Sequence, residues 1–326
     1  MFGRRKEAGE DVVIFFATDI HGSDICFKKF ISSWRFYKAQ VLVLGGDLTG
    51  KMIVPLVQVD RSSSYEAMYM GKRVEFDTGS EMERFERSLS DAGYYPCRLS
   101  QDEFQHMKES PIDREALFTS LVMDRLKRWL GYADAKLHGT GIPLYVSPGN
   151  DDEFVIDALF DNAEAVTNVE GRVVEIPGGY EMISTGFSNP TPWHTARECS
   201  EEDLETKIGS MATHLRNPPR AIFNIHVPPY DSTLDVCPAL DSDLKPVTDM
   251  GRQVMTAAGS TGVRRCIEAY QPLCSLHGHI HESRGYTHVQ RTLAFNPGSE
   301  YSEGILRGCR VVLHKGEVKQ HQLTSG

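Results

Sequence analysis

Apolar residues along the chain fall into two kinds of run. Val12 to Ala17, Val41 to Leu44, Pro143 to Ser147, Ala221 to Ile225 and Leu273 to Leu276 are short, nearly unbroken and rich in β-branched or aromatic side chains. Runs of that kind predict strands buried on both faces. Other apolar residues recur at the helical period. Ile25, Phe27, Phe30, Ile31, Trp34 and Phe36 predict a helix over 25–37, and Phe118, Val122, Leu126, Trp129, Ala133 and Leu137 predict a longer one over 113–138. Further helices are expected from Glu153 to about Ala163, from Glu201 to Leu215 and from Thr261 to Tyr270, the last behind a Ser260/Thr261 cap. Val173 to Ile176 and Met182 to Gly186 read as a meander, Leu293 to Phe295 as a short apolar run, and Arg310 to His314 with Glu317 to Leu323 as a closing hairpin. Strand, helix and strand in alternation predict an α/β sheet.

Residues 49–112 break that rhythm. Ile53 to Val59 and Lys72 to Phe76 read as a hairpin around the polar turn Asp60-Arg61-Ser62-Ser63-Ser64, with short helical stretches near 80–92 and 101–109. This segment is expected to be an insertion, either capping a site or lying at the periphery. A Gly- and Pro-rich loop is expected over 228–251. No repeat or low-complexity tract divides the chain, so residues 1–326 are expected to form one domain.

Bulk properties narrow the partners. The formal charge of −10 argues against non-specific wrapping of nucleic acid. Seven scattered cysteines without a C-x-x-C pair predict free thiols in a reducing cytoplasm. The charged start, 1–11, and the short apolar run behind it do not suit a signal or membrane segment, so no membrane partner is expected.

The apolar strands share one property. They end in residues able to bind metal: Asp19 and His21, Asp47, Asn150, His226, and His279 with His281. Open α/β sheets bind ligands beyond the carboxyl ends of their strands, so these seven side chains are expected to converge. Seven donors exceed one tetrahedral site and suit two divalent ions with a shared carboxylate. Imidazole and carboxylate together suit Mn, Fe or Zn.

In that order, the blocks Asp19-Ile20-His21, Gly45-Gly46-Asp47, Gly149-Asn150, His226 and Gly278-His279-Ile280-His281 resemble the calcineurin-like metallophosphoesterases. Asn296-Pro297-Gly298-Ser299 is similar to the prokaryotic members. The resemblance covers roughly 12–47 and 143–313 and leaves out the insertion. It implies a four-layer α/β/β/α fold, a two-sheet sandwich flanked by helices. It assigns Asp19, His21, Asp47 and His281 to a first metal, and Asn150, His226 and His279 to a second, with Asp47 bridging. His277 falls outside the motif and is expected to be structural. The implied reaction is hydrolysis of a phosphate ester by a metal-bridging hydroxide, the two cations stabilising charge on the phosphoryl oxygens.

One block departs from the pattern. The family usually has G-N-H, where the His assists the leaving group; here Asp151 follows Asn150. Beside two bound dications a carboxylate should stay ionised and serve poorly as an acid. That favours phosphodiesters or good leaving groups over phosphomonoesters, or passes the role to His194 in the 187–195 loop. Two other readings stand beside this one. A non-catalytic scaffold on the same fold predicts no bound metal, and a DNA nuclease predicts a basic groove.

Overall fold

A computed structural model gives the structure of residues 11–59, 63–161 and 163–326. In chain order, β1 (Val12–Ala17), α1 (Asp24–Tyr37) and β2 (Val41–Leu44) open the fold. The insertion contributes β3 (Ile53–Gln58), β4 (Tyr65–Tyr69), β5 (Lys72–Phe76), α2 (Ser80–Asp91), β6 (Tyr95–Leu99) and α3 (Gln101–Glu109). Next come α4 (Pro111–Leu137), β7 (Leu144–Val146), α5 (Asp157–Asp161), β8 (Val166–Asn168), β9 (Val173–Ile176) and β10 (Tyr180–Thr185). Then follow α6 (Glu201–Ala212), β11 (Ile222–Ile225), four short strands β12 to β15 between Val236 and Ala257, α7 (Thr261–Tyr270) and β16 (Cys274–Leu276). β17 (Gly285–Val289), β18 (Thr292–Asn296), β19 (Arg307–His314) and β20 (Glu317–Ser325) close it.

Two six-stranded sheets result, in the orders β20-β19-β1-β2-β7-β8 and β17-β18-β16-β11-β10-β9. The apolar run of β1 explains how they stack. Side chains alternate across a strand. Val12, Ile14 and Phe16 therefore join the core between the sheets. Val13, Phe15 and Ala17 face the other way, into a core covered by α1 and α4. In β11, Ile222 enters the core between the sheets, while Phe223 and Ile225 pack under α6 and α7. The result is four layers, helix, sheet, sheet and helix, which is the metallophosphoesterase fold. β1, β2, β7 and β8 run parallel in the first sheet, and β10, β11, β16 and β18 in the second. Each of the seven candidate ligands follows the carboxyl end of one of these strands.

The insertion differs from the expected hairpin. β3 pairs with β4, and β4 with β5, so 72–76 is the third strand of a meander rather than the partner of 53–58. Residues 60–62 of the expected turn lie outside the described residues. β6, which the sequence reading passed over, pairs parallel with β3 and completes a four-stranded sheet over its own small core. β8 and β17 were also unexpected: one is three residues long, the other an edge strand with alternating exposure. The expected helix over 153–163 is a turn of 3₁₀ helix followed by the short α5. In α4 one basic residue is not solvated. Arg125 is buried, donates to the carbonyls of Gly22 and Tyr94 at 2.6 Å, and lies over the Tyr95 ring. It ties the insertion to the loop that carries His21.

All seven cysteines are free thiols. Among the described residues, no helix is long and apolar enough to cross a membrane.

Candidate metal centre

Backbone conformation sets the site before any side chain does. Asp19, His21, Asp47 and His279 all have positive φ, 52°, 37°, 51° and 66°. Non-glycine residues pay on the order of 1 kcal/mol to sit there, and such strain persists only where the surroundings over-determine it. The loops after β1 and β2 brace each other: Asp19 N–H donates to Gly46 O and His21 N–H to Asp47 O, both at 2.9 Å. Glycine is required where the next loops close in. A Cβ on Gly149 would lie 2.1 Å from Asp47 Oδ1, and one on Gly278 would lie 2.2 Å from Asp19 Oδ2.

The side chains converge in three overlapping groups: Asp19, His21 and His281 form one, Asp47, His226 and His279 a second, and His21 and Asp47 meet Asp151 in a third that links the first two. Asp47 lies between the first two, with Oδ2 3.6 Å from His21 Nε2 and Oδ1 3.4 Å from His226 Nε2. Asn150 Oδ1 approaches His279 Nδ1 at 2.7 Å. Its amide is oriented by the opposite edge, since Nδ2 donates to Thr195 Oγ1 and Asp151 Oδ1, leaving the carbonyl to face the centre. All seven expected ligands thus meet at one place, drawn from both sheets.

Whether a cation fits there is decided at His226. Its Nδ1 lies 3.1 Å from Gly45 O, which only accepts, so Nδ1 carries hydrogen. If the ring is neutral, its Nε2 lone pair faces Asp47 and Asp19 Oδ1, 3.8 Å away, and this buried atom makes no hydrogen bond. A lone pair facing two carboxylates requires a positive charge between them. Burial alone would lower the His226 pKa, but Asp47 and then Asp19 raise it to about 10. A bound cation would satisfy the Nε2 lone pair and the Asp47 carboxylate without protonating the ring. On the other side, His21 Nε2 and His281 Nε2 stand 3.0 Å apart. Burial lowers the His21 pKa to about 3, so its ring is neutral. Burial would raise Asp19, but the hydrogen bond from His281 and the charge of His226 hold it at about 2. These donors are of the kind that hold divalent metal ions, and they lie close enough together to do so.

The other expected residues fall as follows. Asp151 sits beside the cluster, its N–H bonded to Asp47 Oδ1 at 3.1 Å and its Oδ2 3.9 Å from His21 Nδ1. Among the protein's own groups, burial and then Asp47 raise its pKa to about 6; the expected downward shift depends on bound cations. His194 is exposed in its loop and lines the same cavity, but its ring makes none of the hydrogen bonds that join the cluster. His277 is buried away from the ligands, bonded to Ile225 O and Ser275 Oγ.

Sequence reasoning missed four groups that shape the site. Lys51 lays its ammonium against the Asp151 carboxylate, at the position where the family pattern is broken. Nothing about a lone lysine after Gly50 marks it in the sequence. Asp152, fully buried, accepts from Leu48 N, Thr49 N, Thr49 Oγ1 and Gly149 N, joining the loops that hold Asp47 and Asn150. Arg197, also fully buried, grips Asp152 O, Glu153 O and the Asp157 carboxylate. Asn296 Nδ2 donates to Gly278 O and Ile280 O, which fixes the turn carrying His279 and His281. That last role was available from the Asn296-Pro297-Gly298-Ser299 block.

A cavity of about 870 Å³ opens over the cluster. Asp47, Lys51, Asn150, Asp151, His279 and His281 lie on its floor, and no described residue between 52 and 117 lines it. The four-stranded sheet of the insertion thus contributes no described residue to the lining.

Comparison with known proteins agrees with this fold. No family model matches the chain. It is 32% identical over 155 residues to the uncharacterized protein MJ1162 of Methanocaldococcus jannaschii, a match spanning 46% of this chain and 61% of the relative. One solved crystal structure superposes with a TM-score of 0.54 at 15% identity, covering 97% of this chain and 99% of its own. TT1561 of Thermus thermophilus superposes with a TM-score of 0.50 at 14% identity over the same shares. The chain has the calcineurin-like metallophosphoesterase fold.

Proposed function

We propose that this chain is a dinuclear-metal phosphoesterase acting on phosphodiesters in preference to phosphomonoesters. The observation that carries the reading is the Nε2 atom of His226, buried, unpartnered and aimed at two carboxylates on the floor of an open cavity. Asp19, His21, Asp47 and His281 would hold one ion, and Asp47, Asn150, His226 and His279 the other. Bound there, the ions would supply Lewis acidity toward a phosphoryl group and a water made acidic enough to act as a nucleophile near neutral pH.

The chain's own residues do the rest. Asp47 and Asp19 carry the negative charge that two dications exceed by two, so the loaded site attracts an anion. Lys51 adds a further positive charge at the rim, held over the site by Asp151. The pair supplies a cation where the family's usual His would stand, and it suits an ester oxygen that leaves without demanding a full proton. That supports the diester preference. Asp151 and His194 are the candidates for contact with the leaving group. A DNA nuclease is less well supported, because the described charged residues lining the cavity are Asp47, Asp151, Glu153 and Glu282 against Lys51 alone.

Turnover of bis-p-nitrophenyl phosphate and of p-nitrophenyl phosphate by Mn-loaded protein tests the reading. The diester should be hydrolysed faster. No turnover with Mn, Fe, Zn, Ni or Co, together with protein that retains no metal after dialysis, would leave the scaffold reading in its place.

A further inference from the structure

Resting on that assignment, we propose that the substrate is a phosphate ester carrying a large apolar organic group, which the cavity walls hold beside the phosphoryl group. The floor of the cavity is polar and ionic, while its walls set large apolar side chains among Glu153, His194, Glu282 and several threonines. Phe118 and Val122 of α4 form one wall, Val155 and Trp193 a second, and Leu240 and Pro246 of the 228–251 loop a third. Trp193 is 62% exposed and Val155 48%, so both keep apolar surface free for an occupant. Trp193 is held open by its loop. Its N–H bonds Thr191 Oγ1, and the Glu198 carboxylate takes Thr191 and Thr195 from below.

Size and polarity select the class of occupant. At about 870 Å³ the space lies high in the range of roughly 300–1,000 Å³ typical of sites for organic ligands. A phosphoryl group alone would leave most of it filled with water against apolar side chains. Polyanionic ligands are disfavoured, because Lys51 faces Asp151, Glu153 and Glu282 around the lining. A single phosphodiester charge with an uncharged apolar arm matches both the floor and the walls.

The test uses p-nitrophenyl alkyl phosphodiesters, methyl through octyl, below their aggregation limit, on the Mn-loaded full chain. The leaving group is constant, so only binding of the alkyl arm changes. Full burial of one methylene is worth about fourfold in affinity. Partial burial of the seven added by octyl should raise kcat/KM at least about thirtyfold, mainly through KM. In Trp193→Ala the octyl-to-methyl ratio should fall about fivefold or more, with an unchanged melting curve confirming the fold. A flat series with clear turnover overturns this inference alone. So does a Trp193→Ala variant that keeps the full ratio, or a thymidine p-nitrophenyl phosphodiester that outruns the octyl ester. Absence of turnover on every ester, with every metal, overturns the phosphoesterase assignment along with it.

Discussion

At the scale of single residues, the site is a set of carboxylates and imidazoles packed within reach of one another. Asp47 belongs to the group of His226 and also reaches His21 of the group around Asp19, and in the proposed assignment it serves both ions. Asp47→Ala should therefore empty both ion sites, whereas His281→Ala should weaken one. Metal analysis of the dialysed variants checks this, and a variant without Asp47 that still retains two ions would refute the shared role. Lys51 belongs to a different class. It touches Asp151 but is not among the seven expected ligands, so Lys51→Ala should leave metal content intact and raise KM for anionic esters severalfold, with a smaller effect on kcat. The opposite split would place Lys51 in the chemistry rather than in binding. Asp152 is a positioning residue. Its carboxylate accepts three backbone N–H groups and one hydroxyl. Each buried donor left unpaired costs about 1–3 kcal/mol, so Asp152→Ala should destabilise the chain by at least about 3 kcal/mol in urea unfolding.

At the scale of elements, legibility followed burial. β1, β2, β7, β11 and β16 were readable because strands covered on both faces must be continuously apolar. The ligands at their ends were readable because a strand end is where a parallel sheet presents its loops. An edge strand such as β17 left a weaker trace, since alternate residues face solvent and need no pattern. Lys51, Arg197 and Asp152 were illegible for another reason. Their partners are backbone atoms or side chains distant in sequence, and no spacing along the chain records such contacts. Glu170 is of this kind. It caps the end of β10, accepting from Gly186 N–H at 2.6 Å and Thr185 Oγ1 at 2.9 Å. Burial outweighs these bonds and raises its pKa to about 7 from 4.5. The folded chain therefore holds this proton more tightly than the unfolded chain. Glu170 contributes stability that is full below about pH 4.5 and is lost as pH rises toward 7. In Glu170→Gln that part of the decline should disappear, so the variant's stability relative to the parent should improve between pH 5 and 7.5. An unchanged pH profile would show that the buried carboxyl titrates normally.

At the scale of the whole molecule, the centre joins two halves that share only one core. The first sheet supplies Asp19, His21, Asp47 and Asn150; the second supplies His226, His279 and His281. Polar bonds cross the gap, among them His279 N–H to Asp19 and Asn224 Nδ2 to Ser147 Oγ. Ions bound by both sheets would clamp the open end of the sandwich, so metal binding should be coupled to folding. An ion held at a hundred times its Kd contributes about 2.7 kcal/mol, and two contribute roughly 5 kcal/mol. Across a chain of 326 residues that is a rise in Tm on the order of 8 °C. Chelation should lower Tm by about that amount, and added Mn should restore it. The increment should vanish in Asp47→Ala, which lacks the carboxylate that the proposed ions would share. It should survive in Trp193→Ala, whose altered side chain lines the cavity wall and ligates nothing. A chelator-insensitive Tm in protein shown to lose its ions would mean that the two sheets hold the donors in place unaided. The strained loops at Asp19, His21, Asp47 and His279 would then be maintained by packing alone.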